Sequence, residues 1–186
     1  MANTQIIVAK EGWIFIGDAR REGDFVVLER AHNVRRWGTT KGLGELVSGP
    51  TENTVLDACG VVRIHAYNVM HDIAVAAKAW KAPLGEASKA VPRDPENIEL
   101  VICERRWVYV GRVMRDGDYL AIREAMNLRG WTSAGIWGLR DGRKTNVTLD
   151  EYGFVRVGVL GVVASIDCDP KASALLPARL AKRGAP

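Results

Sequence analysis

Two stretches of this chain are versions of one another, and any fold it adopts must accommodate both. Residues 6–37 lie over residues 100–131 at a constant offset of 94 with no gap, and nine of the 32 positions are identical. They are Trp13/Trp107, Gly17/Gly111, Arg21/Arg115, Gly23/Gly117, Asp24/Asp118, Ala31/Ala125, Asn33/Asn127, Arg35/Arg129 and Trp37/Trp131. Gly44/Gly138 extends the match. One residue is then lost near position 47, and an offset of 93 pairs Asp57/Asp150, Gly60/Gly153, Arg63/Arg156, Val69/Val162 and Ile73/Ile166. Register held over about 70 residues with a single gap predicts two tandem copies, 1–76 and 98–168. Between them, 77–97 is rich in Ala, Lys and Pro and reads as a linker, with a short helical turn around Glu86–Ala90. Residues 169–186 form a basic C-terminal tail with a short helix ending before Gly184.

Within a copy, apolar side chains alternate with period two, the signature of strands. Residues 5–34 read as strand, turn, strand, turn, strand. The segments REGD and RDGD supply hairpin turns with Gly where a positive φ is needed. GLGELVSG and GIWGLRDG are the helix-like stretches, each closed by Gly. TVLDACGVVRI and VTLDEYGFVRV read as a second hairpin, and NVMHDIAV and GVLGVVASIDC as a last strand. The expected fold is mainly β: two copies of a small β-rich domain, SH3-like or another small barrel, each with one short helix. A domain of about 70 residues is marginal alone, so the copies are expected to pack on each other as a pseudo-twofold pair.

The duplication also filters chemistry, because a residue kept in both copies serves the fold or a shared function. His32, His65 and His71 fall opposite Met126, Gly158 and Ala164, and Cys59, Cys103 and Cys168 are likewise unmatched. A Cys59–His65 or His71–Asp72 pair is therefore read as structural, and no catalytic residue is assigned. Without CxxC or HxxxH spacing no metal site is expected, and no phosphate-loop or nucleophile-elbow motif implies a cofactor. The glycines kept in both copies are assigned to turns and bulges, Asp24/Asp118 and Asp57/Asp150 to turns, and Trp13/Trp107 to the core. What remains is Asn33, Arg35 and Trp37 with Asn127, Arg129 and Trp131. Alternation puts each trio on one strand face, where Arg beside Trp either covers the core or stacks on a ligand. Arg63 and Arg156 are secondary candidates.

The stretch from Ile14 to Ile64 resembles a family of small phage and prophage proteins, a domain of unknown function. The likeness rests on an aromatic and Gly strand, the segment Ala31-His32-Asn33-Val34-Arg35-Arg36-Trp37, then Leu43 and Leu46. Ala125, Asn127, Leu128 and Trp131 carry it into the second copy. The resemblance implies a tailed-phage setting, cytoplasmic in the host or in the virion, and brings no catalytic residues. The expected role is non-enzymatic: binding or assembly with a protein partner, the chain itself or another phage or host protein. The alternatives are host takeover by blocking a protein or sequestering a nucleotide, and nucleic-acid binding on a small barrel. The net charge of +4 bears on the last. It splits into −1 and +1 for the two copies, +1 for the linker and +3 for the tail, so the copies themselves are nearly neutral. No apolar run reaches the roughly 18 residues of a membrane helix, and no membrane role is expected.

Overall fold

A computed structural model describes residues 3–86, 97–132 and 135–177. The first half holds β1 (Asn3–Ala9), β2 (Ile14–Glu22), β3 (Phe25–Arg36), β4 (Val55–His65) and β5 (Val69–Ala74). The second holds β6 (Ile98–Cys103), β7 (Val108–Asp116), β8 (Tyr119–Trp131), β9 (Val147–Gly158) and β10 (Val162–Asp167). Each half has 3-10 turns after its first and fourth strands. Each has one helical segment between its third and fourth, a 3-10 turn at Leu43–Ser48 in the first and α2 (Gly135–Arg140) in the second. A further short helix, α1 (Ala77–Trp80), follows β5.

All ten strands lie in one antiparallel sheet of order β5-β1-β2-β3-β4-β10-β6-β7-β8-β9. The halves therefore join head to tail. The last strand of the first half's own order, β4, receives β10, with Arg63 opposite Ser165 and Val62 opposite Ile166. A two-fold pair would also join β9 to β5; among the described residues it does not, so the expected pseudo-twofold packing is replaced by a joint with two open ends.

Local chemistry explains the elements. Two-residue turns at Gly23–Asp24 and Gly117–Asp118 close the β2–β3 and β7–β8 hairpins, with both glycines at φ 56°. Gly17 and Gly111 are needed where paired strands approach closely: a Cβ there would sit 2.7 Å from the Glu29 carbonyl oxygen and 2.8 Å from that of Arg123. Gly60 and Gly153 correct the sequence reading. The expected second hairpin is in each half one long strand, β4 or β9. Its glycine, at φ 76° or 74°, lies opposite Ala31 or Ala125 where the register shifts, making a bulge rather than a reversal.

Burial follows the joint. One side of the first half's sheet, with Ile7, Phe15, Leu28, Val62 and Ile64, forms a single cluster with Leu100, Ile102, Val110 and Ile166 from the second half. Ile136, Trp137 and Leu139 of α2 belong to the same cluster, as do Ala172 and Leu175 of the 3-10 helix Pro170–Leu175. The first half's other side, with Ile6, Ile16 and Leu46, is covered by Trp80 and Leu84. Trp80 is fully buried and its indole donates to the Leu46 carbonyl at 2.9 Å. The start of the expected linker is thus part of the core; the helical turn expected at Glu86–Ala90 lies outside the described residues from 87 on, as does the tail from 178. A third cluster, with Val101, Tyr109, Leu120, Ile122 and Val162, comes from the second half alone.

Candidate binding face

Asn33 is buried and its amide donates to the Ile14 carbonyl at 3.0 Å. It lies opposite Asp57 on β4, and Arg35 reaches the same carboxylate, Nε to Oδ2 at 3.1 Å. The second half repeats this. Asn127 is buried opposite Asp150, and Arg129 grips Asp150 with two donors at 2.8 and 3.3 Å. Asp57 and Asp150 are therefore strand residues that hold the arginines, not the turn residues expected from sequence. Their recurrence in both halves was the signal for this role. Trp37 lies past the end of β3 and is exposed, whereas Trp131 ends β8 and packs partly into the core.

The two trios meet different fates. Over the first, α2 closes down. Trp137 packs edge-on against Trp13 at 5.9 Å, and Arg140 donates to the Ala58 carbonyl at 2.9 Å. Burial raises the Asp57 carboxyl pKa against the opposing pull of Arg35, and burial lowers that of His32, whose Nδ1 lies 3.0 Å from the Arg30 carbonyl. The second trio has no such cover among the described residues, and the Arg129 side chain is 68% exposed. Beside it Trp107 stacks on Tyr109 at 6.2 Å, the same pairing and distance as Trp13 on Phe15. Tyr152 closes on Tyr109 at 6.0 Å. Trp107 and Tyr152 are 46% and 47% exposed; Phe154, also exposed, lies on the opposite side of β9, because its neighbours Val155 and Val157 are the residues that pack with Tyr109. Trp107 is thus surface, not the core residue expected: its counterpart Trp13 is partly buried because α2 lies on it. Sequence reasoning missed this face. The available signal was divergence, since Tyr152 stands where the first half has Cys59.

Arg129 and Trp131 do line a cleft of about 430 Å³, together with Glu11 and Trp13 of the first half, Arg106 and Gly130. Arg35 and Trp37 are not part of it. Arg63 is buried in the joint and holds Asp167 with both guanidinium nitrogens, Nη2 to Oδ2 at 3.1 Å. Arg156 is exposed, donates to Asp116 at 2.8 Å and lies over the Tyr119 ring.

The remaining titratable groups are placed as structure. His65 accepts from the Tyr67 amide, and His71 is exposed on β5. All three cysteines are buried and unbridged, with burial raising each thiol pKa, that of Cys103 to about 12. Among the described residues no three His, Cys, Asp or Glu side chains converge to hold a metal ion, and no helix is long and apolar enough to cross a membrane. The chain matches no family model, no curated protein and no solved structure.

Proposed function

We propose that this chain acts by binding a protein partner, without catalysis of its own, and that the open aromatic face of the second half is where it binds. The observation that carries the reading is the contrast between like surfaces. In the first half the Trp–aromatic stack and its Asn–Asp–Arg trio receive α2; in the second the same arrangement is open and more aromatic. Contiguous exposed aromatics beside a free sheet edge are what protein interfaces are made of. The underlying unit is proposed to be a duplicated SH3-like module. The matched residues and the shared order of elements support this. A phage or prophage setting, in the host cytoplasm or in the virion, is the proposal carried by the sequence resemblance.

A photo-crosslinking residue at Tyr152 tests the binding reading in the source cells. Protein adducts at 152 that disappear with Trp107→Ala are expected. Adducts at a site on α1 but none at 152 would refute it. A second reading rests on the cleft, where Arg106 and Arg129 lie with the indoles of Trp13 and Trp131. Such a site suits a nucleotide, base on indole and phosphate on guanidinium. It predicts a thermal shift with added nucleotide that Arg129→Ala removes.

A further inference from the structure

The sheet ends in two edges that match the two strands already joined inside the molecule. β9 is the counterpart of β4, and β5 the counterpart of β10. Inside the molecule β4 and β10 bury each other: Val61, Val62, Arg63 and Ile64 are buried, as is every residue of β10. At the ends the same positions face outward. Phe154 and Arg156 are exposed and Val155 and Val157 half-buried on β9, while Met70, His71, Asp72 and Ala74 are exposed on β5. Among the described residues neither strand has a neighbour on its outer side.

We infer that β5 of a second copy of this chain docks on β9, repeating between molecules the joint that β10 makes with β4 within one. The inference rests on reading the second half's open face as a binding face, and names its occupant. The register follows from the internal joint. Ser165 opposite Arg63 becomes Asp72 opposite Arg156, and Ile166 opposite Val62 becomes Ile73 opposite Val155. The first is an opposite-charge cross-strand pair and the second an apolar one, each of a favourable kind. Main-chain hydrogen bonds along the added strand supply the remaining affinity. The incoming Leu43–Ser48 turn takes the place over Trp107 that α2 takes over Trp13. Because the two edges differ, the contact is heterologous and each added copy presents a fresh β9, so assembly continues into a ring or a filament.

Sedimentation velocity on the purified full chain, over a wide concentration range, tests this. The wild type is expected to grow beyond monomer with concentration. Asp72→Arg and Arg156→Asp each place like charges across the joint and should weaken association about tenfold. The double variant should recover it, which also shows that both substitutions are compatible with the fold. In an equimolar mixture of the two single variants every joint between unlike copies regains opposite charges, so the mixture should associate like the wild type with the two variants alternating. A wild type that stays monomeric throughout, by closing β9 on its own β5 or by leaving both edges free, overturns the inference. So do single variants that associate like the wild type. If the wild type is monomeric while crosslinks at 152 to another protein persist in cells, the occupant is wrong and the binding face stands.

Discussion

Replacing Arg63 and its counterpart Arg156 by methionine puts one substitution into two environments. At Arg63 the guanidinium and the Asp167 carboxylate are 6% and 7% exposed and bonded through both nitrogens. Glu99, also buried, lies opposite Asp167 on the neighbouring strand. Methionine keeps most of the apolar stem, so little cavity forms, but Asp167 is left beside a second acid without its cation. Breaking a buried pair in this way costs about 3–5 kcal/mol, a large part of the 5–15 kcal/mol that holds a domain folded. At Arg156 the pair with Asp116 is 48% and 61% exposed, and such a pair contributes about 0–1 kcal/mol. Urea unfolding at neutral pH, with the m-value checked for constancy, measures both. The expected difference is about 3 kcal/mol, and Arg63→Met combined with Asp167→Leu should regain most of it, because an apolar pair replaces the orphaned charge. Equal costs for the two methionine variants would show that the head-to-tail joint is not buried as described.

Other consequences follow from the same packing. Burial and the neighbouring Asp167 charge raise the Glu99 pKa against the opposing pull of Arg115 and Arg63. The folded chain thus keeps a proton that the unfolded chain sheds first, so stability falls as pH rises from the ordinary glutamate range towards the raised one. Glu99→Gln should flatten that slope in urea midpoints taken from about pH 4 to about pH 8. The three buried thiols should be silent to a thiol reagent in the native state and all titrate in denaturant; a fast native thiol would contradict the placement of Cys59, Cys103 and Cys168. Gly17→Ala and Gly111→Ala each drive a Cβ into backbone and should lower stability by about 1–3 kcal/mol, whereas Gly158→Ala meets open space and should change little.

How much of this was legible depends on which residues bear on each other locally. Turns at Gly23 and Gly117, the helical segments after Trp37 and Trp131, and the predominance of strands follow from spacing and turn chemistry. The second hairpin expected at Gly60 and Gly153 is instead a bulge within one strand, because a glycine with positive φ serves a reversal and a bulge equally, and only the partner strand distinguishes them. The fates of Trp13 and Trp107 were beyond a local reading. The two sit in matched sequence and matched stacks, and differ because α2 comes from the second half to lie on the first. For the same reason Arg63 and Arg156 look equivalent in sequence. What separates them is Asp167, which stands where the first half has Ala74.

That last difference bears on how tightly copies would join. The internal joint has a buried bidentate pair, Arg63 with Asp167. The proposed joint between copies has Arg156 but offers Ala74 in place of the aspartate, leaving Asp72 as the acid across from it. A joint without the bidentate grip should be weaker and reversible, as suits an edge that must stay open until a partner arrives. Ala74→Asp restores the missing acid at an exposed position on β5. Coupling between close charge pairs at interfaces runs from about 1.5 kcal/mol upward, so self-association should tighten by about tenfold or more. The gain should vanish when Arg156→Met is added, since the new carboxylate then faces no cation. Tightening that survives Arg156→Met would mean that the aspartate acts elsewhere, and a variant that associates no better than the wild type would show that Ala74 does not come to lie against Arg156.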